Sequence, residues 1–173
     1  MSAGATLRIH QLAPADGRYA IRLRLQRPGQ PEIEAQAAIA FALTDQEQED
    51  LRWYLEDYLQ HAEATEPVQI EQIERMMRSR GEALYDEVLA ANRSTQAIWF
   101  GVREQLADLR IEISTGIAQA ASIPWELMRD PESDSAIALR VRAFVRVQSE
   151  PNIGFVATPP RRPSPTSTSA TPT

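Results

Sequence analysis

Between Leu7 and Phe41 apolar and polar residues alternate with a period of two, a pattern that suits a half-buried sheet and would scatter its apolar side chains around any helix. Leu7 and Ile9, then Ile21, Leu23 and Leu25, then Ile33, Ala35, Ala37, Ile39 and Phe41 share one face. Asp16-Gly17 and Pro28-Gly29 separate the three runs; glycine accepts positive φ, and proline presets φ near a turn's value. The expectation is a three-strand antiparallel meander over residues 1–43. A loop of the three residues Arg27 to Gly29 would set Arg22 and Arg24 against Glu32 and Glu34 on the opposite face. Exposed pairs of this kind contribute about 0.2–1 kcal/mol each and fix register more than stability.

Period two gives way to a helical period at Thr44-x-x-Glu47, a capping box in which hydroxyl and carboxylate satisfy each other's backbone amides. The helix it opens carries Leu51, Tyr54, Leu55, Tyr58 and Leu59 as one stripe, with Asp50, Glu56 and Asp57 toward water. Trp53 lies off the stripe and is expected to touch a second element. After a polar loop from His61 to Glu66, Pro67 suits a first helical turn, and Ile70, Ile73, Met77, Leu84, Tyr85, Val88 and Leu89 share a face. Gly81 interrupts this run at a cost of roughly 1 kcal/mol against Ala, so it points to close packing or a bend in one helix. Ser94 is read as the cap of a third helix through Ile98, Val102 and Leu106. Strand alternation returns at Leu109, Ile111 and Ile113 and breaks at Gly116. The fold class is therefore α+β: the meander, two to three helices, and further strands around an Ile-Pro-Trp-Glu-Leu turn.

Composition narrows the chemistry. The chain of 173 residues, 43% apolar, closes one ordinary core. It contains no Cys, which removes disulfides, thiolate metal sites and sulfur nucleophiles and is compatible with a reducing cytoplasm. No secretory leader and no stretch of about 18 apolar residues is present, so neither secretion nor a membrane partner is expected. All 18 basic residues are Arg and the net charge is -6, a balance that disfavours nucleic acid. Without Lys no Gly-Lys-Ser/Thr phosphate loop is possible. Residues 151–173 are rich in Pro, Ser and Thr and read as a disordered linker or tail. Arg161 and Arg162 among its prolines could present a polyproline II ligand, with a plain spacer as the simpler reading.

Ile123-Pro124-Trp125-Glu126-Leu127, a short acidic turn, and a strand-like run ending Phe144-Val145-Arg146 are the chain's most specific stretch. They resemble the front part of the bacterial CHAT domain, the caspase-like protease module often fused to TPR repeats. The resemblance takes in Leu51-Arg52-Trp53-Tyr54-Leu55-Glu56-Asp57-Tyr58-Leu59, the Gly81-x-x-Leu84-Tyr85 step and Leu109-Arg110-Ile111-Glu112-Ile113. These cover roughly residues 44 to 147, within a helical and α/β part at 44–150. It implies a role in bacterial conflict systems and a His/Cys catalytic half later in the domain. In a chain with no thiol that chemistry cannot run, and no TPR-like period recurs.

Pro124 suits the first turn of a short helix, where Trp125 and Met128 would bury against the sheet. Glu126 is expected to pair with Arg140, Arg142 or Arg146 and lock that helix to the following strand. A structural motif is the plain reading, and a substrate-contacting or regulatory carboxylate the sharper one. His10 points outward and His61 lies in the acidic loop, neither beside a nucleophile nor placed as the family's base. No metal or other cofactor is expected. Glu71, Glu74 and Glu82 with Arg75, Arg78 and Arg80 read as a solvated helix face or a charged docking surface. Three functions remain. The favoured one is a non-catalytic leading module of a CHAT-type system, complete or cut off at its linker, whose partner is a protease half, a TPR protein or another repeat protein. The second is a stand-alone binding module docking onto such a partner. An enzyme working through Glu126 or the acidic helix comes last, for want of a second positioned group.

Overall fold

The computed structural model describes residues 4–56, 58, 67–115, 123–133 and 135–148. The expected meander is β1 (Thr6–Ala15), β2 (Arg18–Gln26) and β3 (Ile33–Ile39), followed by α1 (Asp45–Glu56), α2 (Pro67–Val88) and α3 (Arg93–Phe100). A 3-10 segment (Arg103–Asp108) leads into β4 (Arg110–Thr115). Two further 3-10 turns, Trp125–Leu127 and Ile137–Leu139, precede β5 (Ala143–Gln148). All five strands form one sheet in the order β3-β2-β1-β4-β5, antiparallel among the first three and parallel from β1 to β4 to β5. The fold is thus α+β. The polar loop with His61, Asp57, Leu59, the break at Gly116 and the 151–173 tail lie outside the described residues.

Alternation puts Leu7, Ile9, Ile21, Leu23, Leu25, Ile111 and Ile113 on one face of the sheet, buried beneath Leu84, Val88, Leu89, Ile98 and Trp99 of the helical layer. In the first hairpin Asp16 (φ 53°) and Gly17 (φ 75°) both take positive φ, as the tight two-residue turn that matches strand twist requires. A bulge between Gln11 and Pro14 takes up a proline that has no amide to give the ladder.

The second hairpin departs from expectation. Gln30 N–H closes a turn on Arg27 O at 3.2 Å with Gly29 at φ 70°, and pairing resumes only at Leu25 opposite Ile33. Pro31, with no N–H to donate, lengthens the loop. The shift is by an even number of residues, so the same face stays buried. Arg24 now stands opposite Glu34, and Glu34 takes both Arg24 (2.9 Å) and Arg22 (3.3 Å).

Three helical details are also corrected. The α1 stripe is only partly covered: Leu51, Tyr54 and Tyr58 are half-buried and Leu55 is 62% exposed. α1 packs chiefly on α2, where Tyr54 bonds Glu74 and Glu47 takes Arg80. α3 is capped by Asn92 rather than Ser94. The Asn92 side chain accepts from Ser94 N (3.0 Å) and Thr95 N (3.1 Å), and Thr95 Oγ1 accepts from Asn92 N (3.1 Å). α3 ends at Phe100, leaving Leu106 in the 3-10 segment, although Ile98, Val102 and Leu106 are all buried. No helix among the described residues is long and apolar enough to cross a membrane.

The Thr44 capping box forms, with Thr44 N donating to Glu47 Oε2 at 2.8 Å and Glu47 N to Thr44 Oγ1 at 3.2 Å. Glu47 also accepts Arg80 Nε (2.7 Å) and Nη2 (2.8 Å) from α2, so one carboxylate caps α1 and ties it down. Arg80, ahead of burial and the Thr44 bonds, holds Glu47 below the ordinary glutamate value of 4.5. Its contribution is therefore complete above pH 4.5 and is lost as pH falls through the lowered folded value. Glu47→Gln is expected to cost about 1 kcal/mol near neutrality, a figure discounted for the partial exposure of Arg80. Denaturant titrations should show the two proteins converging in acid; a pH-independent difference contradicts this role.

Candidate functional site

The Ile123–Leu127 stretch is a 3-10 turn seated between α2 and the sheet. Pro124 caps it one position earlier than expected, with Leu127 N bonded to Pro124 O at 2.9 Å and Met128 N to Trp125 O at 3.1 Å. Ile123, Trp125 and Met128 are buried, Trp125 and Met128 completely. Gly81 makes this seating possible. A Cβ there would collide with the Leu127 carbonyl oxygen, and Gly81 O accepts from Arg129 N at 3.1 Å. α2 runs unbroken through this glycine, so Gly81 serves close packing and not a bend. Four residues on, Tyr85 meets Trp99 edge-on at 5.9 Å and 81°, an arrangement favoured by the ring quadrupoles.

Glu126 is the outward member of the turn. Of the three arginines expected for it, the partner is Arg146 on β5: Nε to Oε1 at 2.7 Å and Nη2 to Oε2 at 2.6 Å. Arg146 Nη2 also donates to Ile123 O at 3.0 Å, clasping both ends of the turn, while Arg140 goes to Ser133 Oγ at 2.9 Å. Burial works to raise the Glu126 pKa, but the Arg146 hydrogen bonds outweigh it and hold the carboxylate below its ordinary range. It is therefore an ionised clamp with both oxygens occupied and no proton to give at neutral pH.

The α1 residues form a separate group. Tyr54 and Tyr58 stack at 5.3 Å and 15°, and Trp53 tilts against Tyr58 at 5.9 Å, so the partner given for Trp53 is on its own segment. Tyr54 Oη donates to Glu74 Oε1 at 3.0 Å; burial, then this bond, raises the tyrosine's pKa. Arg52 is exposed. Glu71 and Arg75 pair at 3.4 Å along the open face of α2. The structure thus gathers Gly81, Ile123 to Leu127 and Arg146 into one cluster, with Tyr85 one turn further along α2, and leaves Arg52, Trp53, Tyr54 and Tyr58 apart from it.

Sequence reasoning missed a buried polar knot just beyond the turn. Asp130, 4% exposed, accepts Trp99 Nε1 at 3.2 Å and Glu132 N at 3.0 Å. Arg103 lies 3.9 Å from it, bonds Glu132, and stands over the Phe100 ring at 5.5 Å. The Asp130-Pro131 turn was its only local signal, because the partners come from α3 and the segment after it. Among the described residues no group of three or more His, Asp or Glu is arranged to hold a metal ion. No protein-family model matches the chain, and no curated protein or solved structure matches it either.

Gly81→Ala is a directional test, since helix propensity alone would make it stabilising by about 1 kcal/mol. The collision with Leu127 predicts a loss of about 2–3 kcal/mol instead, while Ser79→Ala on the exposed face of α2 changes stability by no more than about 0.5 kcal/mol. Thermal or denaturant unfolding reads both. A double-mutant cycle on Glu126 and Arg146 should give a coupling of about 0.5–1 kcal/mol, modest because both side chains are close to half exposed.

Proposed function

We propose that this chain is a non-catalytic module forming the leading part of a CHAT-type caspase-like protease system, acting in scaffolding, recognition or assembly with a protein partner in the cytoplasm. The observation that carries the reading is the outer edge of β5. This strand is the last of the sheet, parallel to β4, and pairs with β4 alone among the described residues. Natural edge strands are commonly blunted by charges, proline or bulges. β5 reads Ala-Phe-Val-Arg-Val-Gln, and its one charge, Arg146, is engaged by Glu126. Val145 and Val147 stand in register with Glu112 and Ser114 on the face away from the helices, and Val147 is 43% exposed. Leu139, 82% exposed just ahead of the strand, adds to the apolar surface. A further strand supplied in parallel by a catalytic half would pair the edge and cover the valines.

The Ile-Pro-Trp-Glu-Leu turn fits the same reading: it is built into the core and clamps the strand on which the partner would be added. With no thiol in these 173 residues, any His/Cys peptidase centre of such a system lies outside them. Hydrogen exchange of residues 143–148 tests the idea, measured with and without the catalytic segment of a CHAT-type protease supplied as a separate chain. The expected result is no peptide hydrolysis by the chain alone, and exchange in β5 slowed at least about tenfold by the segment. Val145→Lys/Val147→Lys should abolish the slowing. Unchanged exchange with the catalytic segment but slowing by a TPR-type repeat protein would favour the stand-alone docking module. Peptide hydrolysis by the chain alone would overturn both readings.

A further inference from the structure

The opposite face of the sheet carries charge instead of helices, and its arrangement follows from register. β1 sets Arg8 opposite Arg24 and His10 opposite Arg22. β4 sets Glu112 beside Arg8 and Ser114 beside His10, and β3 sets Glu34 beside Arg24 and Gln36 beside Arg22. Two rows therefore cross the sheet: Glu34, Arg24, Arg8, Glu112, and next to it Gln36, Arg22, His10, Ser114.

The first row is balanced at its ends, by Arg24 Nε to Glu34 Oε2 at 2.9 Å and Arg8 Nε to Glu112 Oε2 at 3.0 Å. Its centre still places two arginines directly across the ladder, which destabilises a sheet. The second row contains no carboxylate. Arg22 Nε is ion-paired with Glu34 Oε1 at 3.3 Å but makes no hydrogen bond although the atom is buried. His10 Nδ1 and Ser114 Oγ stand 2.7 Å apart. Glu32 approaches Arg8 and Arg24 only at 3.8 and 3.7 Å, and Arg110 pairs with the far oxygen of Glu112 at 2.7 Å. Four arginines thus face three carboxylates, and the surplus falls on the side of Arg22 and His10. Arg8, His10, Arg22, Arg24 and Ser114 line a cavity of about 290 Å³.

We infer that this cavity is an oxyanion site that takes a phosphate monoester. Three guanidinium groups converging with a hydroxyl and an imidazole supply more directed donors than one carboxylate can use, whereas three terminal phosphate oxygens can use them. The anion offsets the Arg8–Arg24 repulsion and adds negative charge beside Arg22, which shares Glu34 with Arg24. It also favours the state in which His10 Nδ1–H donates to Ser114 Oγ, freeing the hydroxyl hydrogen for the phosphate. The cavity is at the small end for a ligand site, suited to a phosphate group with its ester carbons. With no Phe, Tyr or Trp in the lining and a chain charge of -6, the face does not suit a nucleic-acid strand. The site stands independently of the β5 edge.

Calorimetric titration with inorganic phosphate, glycerol phosphate and a phosphoserine peptide, each against its unphosphorylated counterpart where one exists, tests the inference. Saturable binding that needs the phosphate group is expected. Arg22→Gln and Ser114→Ala should each weaken it, the arginine change at least about tenfold, with circular dichroism unchanged. Arg75→Ala, on the far helix face, should leave it intact. Tighter binding of the peptide marks a phosphorylated protein as the source, and tighter binding of glycerol phosphate a small metabolite. Absence of binding to all three, or equal binding by Arg22→Gln, overturns the site.

Discussion

The close approach of α2 to the Leu127 carbonyl at Gly81 is the contact on which the remainder of this molecule is built. Without a side chain at that point, the helix backbone comes near enough for Gly81 O to accept the Arg129 amide. Trp125 is thereby trapped in the core with none of its surface exposed, a burial whose loss in cores typically costs about 3–5 kcal/mol. The same turn aims Glu126 outward at Arg146, and Ile137 N bonds back to Met128 O at 2.9 Å. Each step fixes the next, from helix to turn to β5.

That order explains why a motif with one carboxylate reads as architecture. Glu126 spends both oxygens on Arg146, and Arg146 also donates to the Ile123 carbonyl. A charged pair placed here holds the final strand in register, its outer edge unpaired among the described residues. The two halves of the sheet then present different chemistry on the uncovered face: ionic rows over β1 to β4, valines on β5. The second is the surface proposed for a strand-adding partner, and the first the one proposed for a small anion.

Much of this was legible along the chain. Leu7 to Phe41 declared the meander because alternation is a local property of a pleated strand, and Thr44-x-x-Glu47 declared a helix start because both groups lie within one turn. The burial of Trp125 and the packing role of Gly81 were also readable, since an apolar aromatic and a helix-interior glycine each have few uses. The misreadings were non-local. The α1 stripe did not reveal that Leu55 faces solvent, because α1 packs on α2, held by Arg80 and Glu74. The Arg27 loop gained length because Pro31 cannot enter a ladder whose partner lies on another strand. Asp130 gave no sign of burial, because Trp99 and Arg103 meet it only after the chain folds back.

By itself, the sequence determined most of the elements, the buried face of β1 to β4 and the absence of thiol chemistry from these residues, because periodicity, turn residues and atom inventory need no knowledge of neighbours. Tertiary structure alone decided that β4 and β5 join β1 in parallel, that Arg146 is the arginine Glu126 holds, and that Arg8 faces Arg24 beside His10 and Ser114. These are pairings between residues distant in the chain, and their energies exist only once the sheet has set one strand against another.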